Sequence, residues 1–173
     1  MSNTYMRRVL AVTLGLALIA SAGFAQPRPN QSIKQLVNSR KSEDIKNDRL
    51  LGSAIDRIGR AFESGNADAL EECLVPMPRK VYLSMKAAGD AAGYYGRSQV
   101  KFMFDRLFRE RMTDAFTYDR TDVDDSGDGG ASFRADWTYV TPDEDEIVTE
   151  RLRFKLERTK NDWQVSEIRA QVN

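Results

Sequence analysis

Glu150 stands between Val148 and Leu152 in a segment whose alternate residues are otherwise apolar, so the pattern puts one carboxylate on an apolar face. A carboxylate against apolar walls can work as a general acid or base, because burial penalises its charged form. The same residue would equally suit a hydrated sheet end, or an ion pair with an arginine, since charged side chains are seldom buried alone. Tyr95, Met103, Trp137 and Tyr139 are the residues placed to share a pocket wall with Glu150. Tyr95 is the phenol that would make a tyrosine-plus-carboxylate pair with it. The aromatics also fit plain core positions, where each brings a large apolar area and one polar tip.

Other chemistries lack their residues. The chain has no histidine, which removes the commonest general base, the commonest zinc ligand and every Ser-His or Cys-His nucleophile arrangement. Cys73 is the single cysteine, so no intramolecular disulfide can form. Its helical spacing from Leu70 and Leu74 suits burial better than reactivity. Asp124, Ser126, Asp128 and Gly129 match positions 1, 3, 5 and 6 of a calcium loop, but position 12 is Ala135 instead of glutamate. Both flanks read as strands, so the stretch is expected to be a hairpin turn. Its glycines supply turn conformations and no helix follows to bind phosphate. The acidic run from Asp143 to Glu146 belongs to the next turn, at the opposite end of a meander, and cannot complete that site. Neither a metal nor a cofactor is expected.

The chain has 173 residues, with 26 basic and 26 acidic side chains. Arg7 and Arg8 precede the uncharged run Val9 to Ala20, and Gly23 and Ala25 sit three and one residues before Gln26. These are the parts of a secretory signal, and the run is short for a membrane span of roughly 20 apolar residues. The expectation is an exported protein, periplasmic or secreted, cut after Ala25 and free of the membrane. A retained anchor is the alternative. Loss of Arg7 and Arg8 leaves 24 basic against 26 acidic residues, a net charge of −2 on 148 residues. Interleaved, near-neutral charge offers no footprint for nucleic acid or anionic lipid.

The elements that must position these residues follow from periodicity. Residues 26–48 form a polar leader, with a short helix possible around Ile33, Leu36 and Val37; residues 49–173 form one domain. Leu51, Ala54, Ile55, Ile58, Ala61 and Phe62 fall on one helical face. Gly65 suits the left-handed cap, and Asn66 can open a second, shorter helix that ends before Pro76 and Pro78. Val81 to Met85 and Gly93 to Tyr95 read as a small strand pair. A helix from Ser98 carries Val100, Met103, Phe104, Leu107, Phe108 and Met112 as one stripe. Phe116 to Val123, Ala131 to Tyr139, Val148 to Glu157 and the segment from Trp163 then read as strands. The last slips phase between Val165 and Ile168, as a bulge would make it, with Ala170 and Val172 continuing the new phase. Helices first and strands later predict an α+β domain, with helices on one face of a bent antiparallel sheet.

Phe62 to Leu70, Gly93 to Val100, Gly130 to Tyr139 and Asn161 to Val165 resemble the nuclear transport factor 2-like (NTF2-like), or SnoaL-like, superfamily. Within it the chain is similar to small exported bacterial domains of the DUF4783-like group. The resemblance covers about Arg49 to Val172. It implies a cone-shaped barrel, its curved antiparallel sheet wrapped around the N-terminal helices and enclosing a pocket. The superfamily holds enzymes, binding modules and oligomerisation domains, so the fold leaves activity open. Without histidine, an Asp-His acid–base pair is excluded.

The expected function is a non-enzymatic exported domain that binds a small hydrophobic molecule or a protein partner, with a homodimer through the sheet as one form. The alternative is an acid–base isomerase, lyase or hydrolase using Glu150 with Tyr95. A third possibility has residues 26–48 docking a partner while the domain carries them.

Overall fold

The computed structural model describes residues 49–89, 92–125, 129–141 and 146–171. The signal peptide, the polar leader, Ser126 and Asp128 of the calcium-like stretch, Asp143 to Asp145 and Val172 lie outside the described residues.

Helix α1 covers 49–63. The face read from its periodicity is buried throughout, from Leu51 to Phe62. Its end is a left-handed cap: Gly65, at φ +59°, donates to the Phe62 carbonyl, and Asn66 donates to that of Ala61. The Asn66 side chain then accepts from the Ala69 N–H at 3.0 Å and opens α2, Ala67–Cys73. Strands β1, Val81–Ser84, and β2, Gly93–Tyr95, pair antiparallel. Helix α3 is Arg97–Glu110. The strands β3, Met112–Asp125, β4, Gly130–Thr141, β5, Glu146–Arg158, and β6, Trp163–Ala170, run as an antiparallel meander.

The six strands form one open sheet in the order β2-β1-β6-β5-β4-β3. Three features depart from the sequence expectation. Strand β1 pairs with β6 in parallel, so the sheet is mixed at that one junction. Met112 begins β3 and is 63% exposed, instead of closing the helical stripe of α3. Strand β3 itself starts four residues before the expected Phe116. The bulge in β6 is where the phase slip put it, since Glu167 pairs Lys155 while Val165 pairs Leu156. Two more irregularities bend the edge strand β3, between Thr113 and Ala115 and between Tyr118 and Val123. Bulges increase local twist and curve the sheet, and on an edge strand they also discourage pairing with a stranger.

The curve closes on Phe62. Its ring meets Phe104 and Phe108 from α3, Phe116 from β3, Trp137 from β4 and Phe154 from β5, all with centroids between 4.7 and 5.6 Å. Four of these contacts are edge-on and the Phe116 contact is stacked, the geometries that aromatic quadrupoles favour. The side chain from the last turn of α1 thus fills the space between both main components of the fold. Gly59, one turn earlier, lets the sheet approach: a Cβ there would lie 3.0 Å from Cε1 of Tyr118. The Tyr118 hydroxyl instead donates to Asp56 at 2.7 Å and ties β3 to α1.

Replacing Phe62 by alanine should therefore cost about 3–5 kcal/mol, the range for a buried phenylalanine. Urea unfolding of the variant and the parent measures it. A loss below about 1 kcal/mol would show that the centre is loosely packed.

Candidate functional site

Among the described residues the β5–β6 pairing ends at Leu152 and Ala170, and the Gln171 N–H then donates to the Arg151 carbonyl at 2.8 Å. The turn that follows β1 reaches Glu150. Both carboxylate oxygens accept backbone N–H groups there, from Lys86 at 2.7 Å and from Ala87 at 3.1 Å. Glu150 is only 5% exposed. Among the described residues no arginine lies within ion-pair distance of it. Instead it holds a turn that has to bend sharply, with Gly89 at φ +75°.

Register brings Tyr139 close. It is two residues from Trp137, which faces Glu150 across the β4–β5 ladder, and it lies 3% exposed. Burial raises the Tyr139 phenol above its ordinary value, and the nearby negative charge of Glu150 raises it further. The Arg111 guanidinium opposes both, its carbon standing 5.1 Å from the centre of the Tyr139 ring. Arg111 caps the end of α3 and donates from Nη2 to the Ala87 carbonyl at 3.1 Å, while its buried Nε has no hydrogen-bond partner among the described residues. A cavity of about 200 Å³ lies here, lined by Lys86, Tyr139, Val148, Thr149, Glu150 and Arg151, with Gln171.

None of the other residues proposed for a pocket lines this cavity. Tyr95 is half-buried and pairs with Val81, at the far end of β1 from Lys86, roughly 16 Å along the strand. Among the described residues no hydrogen bond joins it to Glu150, so the phenol beside the carboxylate is Tyr139. Trp137 is fully buried against Phe62 and Tyr139, and its indole N–H donates to Thr113 Oγ1 at 3.0 Å. Met103 is half-buried on α3, packed against the core. Cys73 is buried, and desolvation raises its thiol, which suits the inert role. No group of acidic or sulfur ligands suited to a metal occurs among the described residues.

Sequence reasoning missed Arg111 and the Lys86–Ala87 amides. Arg111 follows an amphipathic helix as any charged residue might. The amides belong to a turn 63 and 64 residues from the carboxylate, and backbone donors leave no mark in a sequence.

Solved structures share this architecture. A DUF4783 family protein from Bacteroides uniformis superposes with a TM-score of 0.55 at 14% identity, over 68% of this chain and 95% of that one. A second, from Bacteroides fragilis, gives 0.53 at 15%, over 68% and 96%. A protein of ketosteroid isomerase-like fold from Catenulispora acidiphila, in complex with trimethylamine, gives 0.53 at 12%, over 69% and 85%. The chain has the NTF2-like fold. At these identities the likeness concerns the NTF2-like backbone alone. No family model matches the sequence, and no curated protein matches it. The arrangement of helices and open sheet is thus what this chain shares with them, and its chemistry rests on its own side chains.

Two outcomes check the Glu150 account. Glu150→Gln exchanges one acceptor for an NH₂ facing a backbone N–H, and should cost about 1–3 kcal/mol. Thermal unfolding would show it as a lower midpoint; an unchanged midpoint would mean that the turn does not depend on the carboxylate. The second outcome concerns pH. The folded chain holds the Tyr139 proton more tightly than the unfolded one, so this contribution is complete below the unfolded value near 10 and is lost as pH rises through the folded value. Denaturation midpoints measured upward from pH 9 should fall less steeply in Tyr139→Phe than in the parent, and equal slopes would contradict the assignment.

Proposed function

We propose that this is a non-enzymatic binding domain of an exported protein, and that its partner is a polypeptide docked on the outer face of the sheet. The observation that carries this reading is the Phe62 ring, which five aromatic rings from α3 and the sheet enclose, so that the chain's own side chains pack its centre. The Glu150 carboxylate, the strongest candidate for chemistry, is already engaged by two backbone donors.

The outer face supports the reading from the other side. Met112, Val140 and Ile147 lie in register on three adjacent strands. Met112 and Ile147 are 63% and 68% exposed. The next row, Ala115, Thr138 and Thr149, is small and uncharged. Exposed apolar side chains in a contiguous row are the usual mark of an interaction surface.

A second reading keeps the acid–base alternative, because the Glu150–Tyr139 pair borders its own cavity of about 200 Å³. It would use Tyr139 instead of Tyr95 as the phenol.

Native mass spectrometry of the chain exported by an expression host discriminates the two. Binding on the sheet predicts a protein starting at Gln26, free of persistent small adducts, and an assembly that Met112→Glu and Ile147→Glu disrupt without lowering the thermal midpoint. An assembly with another polypeptide and one with a second copy both support the reading; a reproducible adduct of small mass lost on denaturation would contradict it.

A further inference from the structure

Beyond the apolar row, the outer face turns basic. Arg134 on β4, Arg153 on β5 and Arg169 on β6 are directly opposite one another across two ladders. Adjacent strands are about 4.8 Å apart, and like charges directly opposite on a sheet destabilise it. The outer two are compensated. Arg134 pairs with Asp122 at 2.6 Å and with Asp124 at 3.8 Å, and Arg169 pairs with Glu167 at 3.1 Å. Arg153, between them, has none of this. Its Nη2 donates to the Ser132 hydroxyl at 3.0 Å, and among the described residues no carboxylate lies within ion-pair distance of it. Lys155, two residues along the same face, is exposed and lies opposite Glu167, whose carboxylate pairs with Arg169, and Lys155 itself forms no ion pair among the described residues. A groove of about 460 Å³ runs beside both, lined also by Ser132 and Gly130, with Asp124 on its wall.

We propose that this groove is an oxyanion site centred on Arg153 and Lys155, and that its ligand is a pair of side-chain carboxylates on the docked polypeptide. This rests on the sheet-face reading above and gives the partner its chemistry. Arg153 and Lys155 are about 7 Å apart along β5, the repeat of alternate residues in an extended chain. An extended segment with acidic residues at alternate positions therefore meets both cations at once. One small anion spans only part of that distance. The uncompensated middle arginine is placed where stability alone would not put it, and an incoming carboxylate supplies the charge that the sheet withholds. The next row along the same face holds Asp136, already paired with Arg151 at 2.8 Å, and beyond it come Ala115–Thr138–Thr149 and Met112–Val140–Ile147, so the acidic part of the partner would cross a neutralised pair before an apolar part.

The test uses the chain from Gln26 and two probes, sodium sulfate and an acetylated Glu-Thr-Glu-Thr-Glu peptide, at low and constant ionic strength. NMR should show saturable shifts at the Arg153 side-chain N–H and at the Ser132 and Lys155 amides. The peptide should bind about tenfold or more tightly than sulfate, and Arg153→Gln should lose about tenfold of that affinity. Arg106→Gln, on an exposed arginine of α3, should leave it unchanged. The thermal midpoint of Arg153→Gln should be no lower than that of the parent, because the change removes a like-charge contact; a purely structural arginine would lower it. Shifts that never saturate, equal affinity for sulfate, or an Arg153→Gln that binds as the parent does would each overturn the site. If they do so while Met112→Glu still disrupts assembly, the docking face stands and only its acidic partner falls.

Discussion

Phe62 is held by rings from one helix and three strands, and the remaining structure is arranged so that it can be. The left-handed cap at Gly65 ends α1 immediately after it and turns the chain into α2. Gly59 admits β3 to the helix, and the bulges in β3 and β6 curve the sheet until Phe116 and Phe154 reach the same ring. A buried aromatic contributes through many small contacts that vanish together when one neighbour retreats. The centre is therefore cooperative, and it ties the first described helix to the penultimate strand.

Interior apolar area spent on self-packing stabilises the fold and is not available to a ligand. Some buried polar groups have structural tasks: Glu150 holds the turn after β1 and Trp137 bonds Thr113, while nearer the surface Arg57 donates twice to Asp162 at 2.7 and 2.6 Å across the start of β6. On the outer face of the sheet an apolar row, a neutral row and the Asp136–Arg151 ion pair precede the arginine row along β4 and β5.

Most of the fold was legible in the sequence because its signals are local. The periodicity of Leu51 to Phe62, the Gly65–Asn66 punctuation, the alternation from Ala131 to Tyr139 and the slip after Val165 each depend on residues within one element. The parallel β1–β6 pairing was not legible, since it joins segments some 85 residues apart and neither carries a mark of strand direction. Met112 was assigned to α3 because an apolar residue at helical spacing looks the same whether or not the helix has ended. The oddity of Glu150 could be seen as a charge on an apolar face, but its purpose could not, because its partners are backbone amides. The arginine row was invisible for a related reason: Arg134, Arg153 and Arg169 become neighbours only through register.

The central claim is that the cone is packed shut, and benzene is its most direct probe, since apolar cavities of sufficient size take it up readily. Aromatic ¹H–¹³C spectra of the chain from Gln26 would be followed as benzene is added to saturation. The account predicts that the signals of Phe62, Phe116, Trp137 and Phe154 do not move. Saturable shifts confined to those rings would show an interior open to an apolar guest and would return the binding site to the inside of the cone.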